Sequence, residues 1–377
     1  MRISTLSVTG FRNLNGVSLG LCPGVNLLYG KNGQGKTSLL EAVWLASTGS
    51  SFRTARISET IGFDAPASVI SVGFESGGRE MSAELRLCKN PQSKNFSVNG
   101  VSRKPGSEGL LLPTVIFRPE DLELVKAGPN ERRALLDTLG LQVSPRYRKN
   151  LTEYNRCLAQ RNTLLRNLHG RFPGQQDAGI LDVLDVALSR LGVYLTRARQ
   201  VILDKLIPES ERLYEGVSGG AEALRMLYAS GFGPEPLPSD PSEAELDCCE
   251  RLASRRREDA GAGFTTLGAH RDDLLFELDG RPARAYGSQG QQRTCAIACR
   301  LASARVLGEL CGEPPVVLLD DVFSELDPTR CRYILDTVSE CQILLTGCDL
   351  PLLTALAPEG RELKRILVES GKTFEEI

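Results

Sequence analysis

The sequence predicts a mixed α/β protein in which one domain, split in sequence, brackets an inserted helical lobe. Three observations carry this. Strand texture marks the first thirty residues and 67–101, helical spacing takes over from about Asn130, and strand texture returns near Gly263. The boundaries expected are 1–118 and 263–377 for the α/β domain and 119–262 for the helical insertion.

Taken in order, Ile3–Val8, Val17–Leu21 and Val25–Tyr29 are apolar runs broken by Gly10, Gly16 and Pro23–Gly24, the pattern of three short strands. Within 67–101, SVISVGF, EMSAELRL and NFSVNG alternate as strands, the first two joined by the turn-like ESGGRE. Glu131–Leu139, Pro145–His169, Leu181–Tyr214 and Glu243–Glu258 have helical spacing. The proline-rich GFGPEPLPSDPSE (231–243) reads as a loop. FTTLGAH and DDLLFELDG read as strands. A helix over Gln291–Leu310 follows, then the apolar runs VVLLDDVF and QILLTGCD.

Composition narrows the class. The chain has 377 residues, 41% hydrophobic and 24% charged, which excludes collagenous and disordered proteins and leaves ample material for a core. There is no run of eighteen apolar residues and no signal-peptide pattern at the start, so no membrane contact and a cytoplasmic location are expected. A net charge of −2 excludes a uniformly basic coat but not a local basic patch. The eleven cysteines include no CxxC pair, and His169 and His270 are the only imidazoles, so a cysteine metal site is not expected.

Residues 30–37 read GKNGQGKT, a full match to G-x-x-x-x-G-K-[ST] between the strand VNLLY and the helix-like TSLLEAVWLAS. Gly30, Gly33 and Gly35 let the backbone of Lys31, Asn32 and Gln34 wrap a phosphate with inward N–H groups, at a helix N-terminus. Lys36 is the residue that reaches the outer phosphates of ATP, and the Thr37 hydroxyl is a Mg²⁺ ligand. VVLLDD (316–321) ends a buried strand in two carboxylates: Asp320 as the metal-side partner, Asp321 placed to orient or deprotonate the attacking water.

GSQGQQ (287–292) opens the late helix. Ser288, Gln289 and Gly290 at a helix N-terminus make a phosphate cradle, or an N-cap and nothing more. The segment resembles the signature of ABC-type ATPases, whose helix end reaches the γ-phosphate held by the opposite protomer. SELD (324–327) resembles the loop after their catalytic strand, and Thr346 stands where that superfamily usually has a His switch.

One family matches more of the chain. GFRNL (10–14), GKNGQGKTSLLEA (30–42), FRPEDLELVKAGPNERR (117–133), GAHRDDL (268–274), YGSQGQQR (286–293) and LLDDVFSELD (318–327) resemble the bacterial RecF proteins. The resemblance implies an ABC-type ATPase head split around the helical lobe and an ATP-dependent homodimer. It also implies binding to single-stranded, gapped or junction DNA, and work with RecR and RecO in loading RecA.

The DNA reading has a weaker footing of its own. Between Glu131 and Arg171 nine basic residues stand against three acidic ones. At helical spacing Arg148, Lys149, Arg156 and Arg166 share one face, with Leu151, Tyr154, Leu158 and Leu165 opposite; Arg161 falls on the apolar side. Such a face offers cations to a phosphate backbone, or is simply solvated. Arg53 and Arg56 are further DNA or nucleotide candidates. His270-Arg271-Asp272-Asp273 invites an acid–base reading, but a structural role at a strand start is at least as good, and none of the four is taken as catalytic. Two other classes share the phosphate loop. An ABC transporter ATPase subunit would carry an unusually long lobe, and a P-loop kinase or GTPase would leave Ser288–Gln292 without a role.

Overall fold

The computed structural model describes residues 1–103, 112–168, 170–171, 174–358 and 360–376. In chain order the elements are β1 (Arg2–Thr9), β2 (Val17–Gly20), β3 (Val25–Tyr29), α1 (Lys36–Thr48), β4 (Ala67–Ser76), β5 (Arg79–Cys88), β6 (Ser93–Val98), β7 (Val101–Arg103) and β8 (Thr114–Phe117). Then come α2 (Pro129–Val143), α3 (Pro145–Leu168), α4 (Gln175–Ser218), β9 (Leu224–Ala229), α5 (Pro241–Ser254) and α6 (Arg256–Ala262). The chain continues through β10 (Asp273–Leu278), β11 (Arg281–Pro282), α7 (Ala283–Tyr286), α8 (Gln289–Cys311), β12 (Val316–Asp320), α9 (Pro328–Thr337), β13 (Ile343–Gly347), α10 (Leu350–Leu356), β14 (Leu363–Glu369) and β15 (Lys372–Glu376). His169 lies outside the described residues.

Two compact units result: Met1–Glu123, Arg212–Ala221 and Arg293–Ile377 form the first, Leu124–Glu211 and Glu222–Gln292 the second. The split architecture is as expected, but 263–292 belongs with the insertion rather than with the α/β domain. The reason is pairing: β10 runs antiparallel to β9 from Asp273↔Ala229 to Leu278↔Leu224, which ties it to the lobe. The boundary expected at 263 is corrected to 292/293, inside α8.

The first unit holds two six-stranded sheets. One, ordered β2-β1-β4-β5-β6-β7, is antiparallel; the other, ordered β15-β14-β3-β13-β12-β8, is parallel apart from the terminal β14–β15 hairpin. α1 packs against strands of both sheets. Its residues from Leu39 to Thr48 are all buried, which is why TSLLEAVWLAS is apolar around its whole circumference. A single core joins the two sheets through α1, with Leu39, Leu40, Val43 and Trp44 among Val8, Ile70, Leu85, Leu318 and Leu344. The parallel strands β3, β12 and β13 are continuous apolar runs because both faces are covered.

The second unit pairs helices with a three-stranded sheet, β11-β10-β9. FTTLGAH is not a strand. Gly268 sits at φ +132°, Ala269–Arg271 makes a 3₁₀ turn, and both His270 and Arg271 bond back to Thr265 O at 3.0 Å, so the segment folds on itself. Tyr147, Tyr154, Leu188, Leu195 and Phe232 centre its main core. Among the described residues no helix is long and apolar enough to cross a membrane.

Candidate functional site

The phosphate-loop segment bridges the end of β3 and the start of α1. Gly30, Gly33 and Gly35 have φ of +146°, +79° and +114°, values that glycine reaches without steric cost. A Cβ on Gly30 would lie 2.3 Å from Val368 O, so glycine is required there by the neighbouring strand as well. At Gly33 a Cβ would meet nothing within 4 Å: that side of the loop is open. Lys36 Nζ donates to Gly30 O at 2.5 Å and Lys31 O at 2.9 Å, folding the cation over its own loop. Gln34 anchors the loop from outside, its side chain accepting Ser370 N–H at 2.6 Å and its carbonyl Gly371 N–H at 3.0 Å. Asn32 Oδ1 accepts from Cys348 Sγ at 3.0 Å.

β12 brings the two acids to this loop across 283 residues of sequence. Thr37 Oγ1 donates to Asp320 Oδ1 at 2.9 Å, and Thr346 Oγ1, at the end of β13, donates to the same oxygen at 2.9 Å. The Asp321 amide donates to Thr346 Oγ1 at 2.9 Å. Burial pushes the Asp320 carboxyl up from its ordinary range, while the two threonine hydroxyls pull it down and the Asp321 charge adds to the rise. Burial also raises Asp321, with Lys36 acting against it and Glu325 with it. Asp321 itself sits in the left-handed region at φ +52°, a conformation few non-glycine residues adopt. Ser324 Oγ closes the turn onto Asp321 O at 2.7 Å, and Asp327 caps α9 through Arg330 N–H at 3.0 Å, which gives SELD its shape.

A cleft of about 500 Å³ lies beside these groups, its walls including Arg12, Asn13, Gly33, Lys36, Thr37, Asp321 and Thr346. Sequence reasoning assigned no role to Arg12 or Asn13, although GFRNL carries them. Asn13 Nδ2 donates to Gly33 O at 3.3 Å and its Oδ1 accepts from Ser38 Oγ at 3.0 Å, clamping the loop to α1. Arg12 forks onto the buried Glu41 at 2.6 and 3.0 Å. Arg53 also reaches Glu41, at 3.4 Å, and lines the cleft, whereas Arg56 is 83% exposed and pairs at 3.9 Å with Glu59.

The donor set fits a nucleotide carried with Mg²⁺. The hydroxyl of Thr37 and the carboxylate of Asp320, already in contact, are hard oxygen ligands. The open face at Gly33 and the Lys36 ammonium suit phosphate oxygens.

In the second unit, Ser288 and Gln289 are exposed at the start of α8. Ser288 N–H donates to Gln291 Oε1 at 2.7 Å and Gln291 N–H to Ser288 Oγ at 3.3 Å, a reciprocal cap. The cap uses Ser288 Oγ as an acceptor, and the hydroxyl of this exposed residue can also donate.

The basic face of α3 separates into kinds. Lys149 and Arg166 are exposed; Arg156 is paired with Glu153 at 2.5 Å, and Arg148 is half-buried. Arg161 is fully buried between Asp185 at 2.7 Å and Asp259 at 2.5 Å. GAHRDDL is structural: Arg199 bonds Asp272 at 2.5 Å, Arg132 grips Asp273 at 2.6 and 3.0 Å, and His270 Nδ1 sits 2.8 Å from the Tyr154 hydroxyl.

The family model RecF/RecN/SMC N terminal domain matches residues 2–355. The DNA replication and repair protein RecF of Symbiobacterium thermophilum is 39% identical over 377 residues, covering 97% of this chain and 96% of its own. That of Clostridioides difficile is 35% identical over 356 residues, covering 93% and 92%. The chain belongs to the RecF family. A solved structure of the recombination mediator protein RecF-ATPrS in the RecFOR pathway superposes on this RecF-family chain with TM-score 0.90 at 32% identity, covering 100% of this chain and 98% of its own. A Smc head bound to the C-winged helix domain of ScpA, at TM-score 0.54 and 14% identity, shares the fold alone. Relatives of this kind do not favour an ABC transporter subunit.

Proposed function

We propose that this RecF-family chain is a nucleotide-switched DNA-binding protein of recombinational repair and replication-fork maintenance. Two copies close around ATP, and slow hydrolysis releases them. The observation that carries the reading is the 2.9 Å contact from Thr37 Oγ1 to Asp320 Oδ1, which joins the phosphate loop to the acidic strand end. Lys36 and the loop amides of residues 30–35 would hold the phosphates, and Thr37 and Asp320 the Mg²⁺. Mg²⁺, when bound, neutralises charge on the phosphates. Asp321 holds the attacking water, and Thr346 keeps Asp320 and the Asp321 backbone in fixed relation.

Ser288, Gln289 and Gly290 of one copy would complete the γ-phosphate site of the other, using the hydroxyl proton of Ser288. Asp321 is one methylene shorter than the glutamate usual at this position in ABC-type ATPases. A base misplaced by about 1 Å is slow, which suits a timer rather than a motor. Lys149 and Arg166, with Arg148 and Arg156, offer a row of cations about 27 Å long on α3 to a phosphate backbone without reading sequence. The DNA class by family likeness is single-stranded, gapped or junction DNA. RecR, RecO and RecA are the partners by the same likeness, and the location is the cytoplasm.

Sedimentation with ATP, with and without gapped DNA, tests the reading. A dimer that forms with ATP and persists on gapped DNA is expected; a chain that stays monomeric with ATP in both conditions contradicts it.

A further inference from the structure

The cleft of the first unit is equipped for phosphates and poorly equipped for a base. Its described lining residues are Arg12, Asn13, Arg53, Asp321, Thr346 and residues of the loop and the start of α1, with no aromatic ring among them. In the second unit, by contrast, Tyr286 is 72% exposed and stands two residues before Ser288.

Its backbone is fixed. Gly287 N–H bonds Ala283 O at 3.0 Å, and a Cβ on Gly287 would come within 2.7 Å of that same oxygen, so only glycine allows the turn. Gln292 Nε2 reaches Ala283 O at 3.0 Å, Gly287 O at 3.1 Å and Arg284 O at 3.3 Å, stapling α7 to the first turn of α8. Tyr286 and Ser288 are therefore presented by one braced turn. A ring with two rotatable side-chain bonds on a braced turn loses little entropy when it stacks.

We infer that Tyr286 of one copy stacks on the base of the nucleotide held by the phosphate loop of the other, so that each copy supplies the aromatic ring its partner's cleft lacks. The inference rests on the two-copy reading above and deepens it: Ser288 would contact the phosphate end of the nucleotide and Tyr286 the base end. The base then contributes to dimerisation rather than to binding by a single copy.

The test compares ATP with ribose 5′-triphosphate, which keeps the phosphates and sugar but has no base. Full-length wild type, Tyr286→Ala and Tyr286→Phe are sedimented with each, and monomer binding is measured separately at dilute protein. Wild type and Tyr286→Phe should dimerise roughly tenfold more tightly with ATP than with the base-free triphosphate. Tyr286→Ala should lose that preference while binding ATP as a monomer like wild type. If Tyr286→Ala keeps the preference, or weakens dimers equally with both compounds, the stacking assignment is overturned. A wild type that dimerises with neither compound would remove the two-copy reading itself, a failure distinct from the first.

Discussion

The Thr346 hydroxyl donates to Asp320 Oδ1 at 2.9 Å and accepts the Asp321 amide at 2.9 Å, so one side chain sets the spacing of both acids. Replacing it with an isosteric residue that lacks the hydroxyl leaves a buried carboxylate short of a donor and an amide short of an acceptor. A hydrogen bond to a charged group is worth about 1.5–3 kcal/mol. Thr346→Val should therefore slow ATP turnover by about tenfold or more with nucleotide affinity little changed, and Thr346→Ser should restore it. Equal activity of the Val and Ser variants in a steady-state assay would deny Thr346 this role.

Asp321 is expected to hold water rather than metal. Asp321→Asn keeps Asp320 and its two hydroxyl donors, so ATP and Mg²⁺ binding should persist, while turnover nearly vanishes and the dimer lives longer. Turnover and dimer lifetime measured side by side decide this; normal hydrolysis by the variant would leave water activation to another group.

His270 gives the second unit an acid-sensitive element. Burial lowers its pKa from 6.5 to about 4, the Thr265 carbonyl acts in the opposite direction, and Arg271, Arg133 and Arg161 add to the lowering. The neutral ring fits its bonds, Nε2 donating to Thr265 O at 3.0 Å and Nδ1 accepting from Tyr154 at 2.8 Å. A depressed folded pKa means that the unfolded chain takes the proton first. The stability is complete above pH 6.5 and is lost as pH falls toward 4, by about 3 kcal/mol in all. His270→Gln should flatten that fall between pH 6.5 and 4.5, read by hydrogen exchange in α3 and β10. An unchanged pH profile would reject the assignment.

For DNA, Lys149 and Arg166 are the ones to change, since Arg156, also exposed, is paired with Glu153. Lys149→Glu with Arg166→Glu should weaken binding and reduce the slope of log affinity against log salt by nearly 2, since about 0.9 counterion is released per phosphate neutralised on duplex DNA. ATP binding should stay the same. An unaltered slope in a fluorescence titration over several salt concentrations returns α3 to a solvated face.

Much of the fold was legible because its signals are local. The strands around VNLLY and VVLLDD announce themselves as apolar runs, and the phosphate loop by its glycines. What was illegible depends on pairing between distant segments. FTTLGAH has strand composition, but Gly268 and the back-bonds to Thr265 curl it into a turn. The division inside α8 follows from β10 choosing β9 as its neighbour, which no periodicity encodes. At the cleft, Lys36, Thr37 and Asp320 were singled out by motif and Thr346 only by its place in the chain, with its role left open, whereas Asn13 was missed because it clamps Gly33 and Ser38, a contact made only in the folded chain. Arg161 looked like a flaw in the α3 pattern; buried between Asp185 and Asp259, it belongs on the apolar side.

The most direct test mixes two defective copies. Lys36→Met removes the ammonium folded over the phosphate loop, and Ser288→Arg blocks the helix end offered to the partner, so neither variant alone contains an intact composite site. A mixed dimer contains one, built from the phosphate loop of the Ser288→Arg copy and the Ser288 of the Lys36→Met copy. Sedimentation with ATP should show each variant monomeric and their equimolar mixture forming dimers. Dimers from either variant alone, or a mixture that remains monomeric at concentrations where wild type dimerises, would contradict the composite nucleotide site.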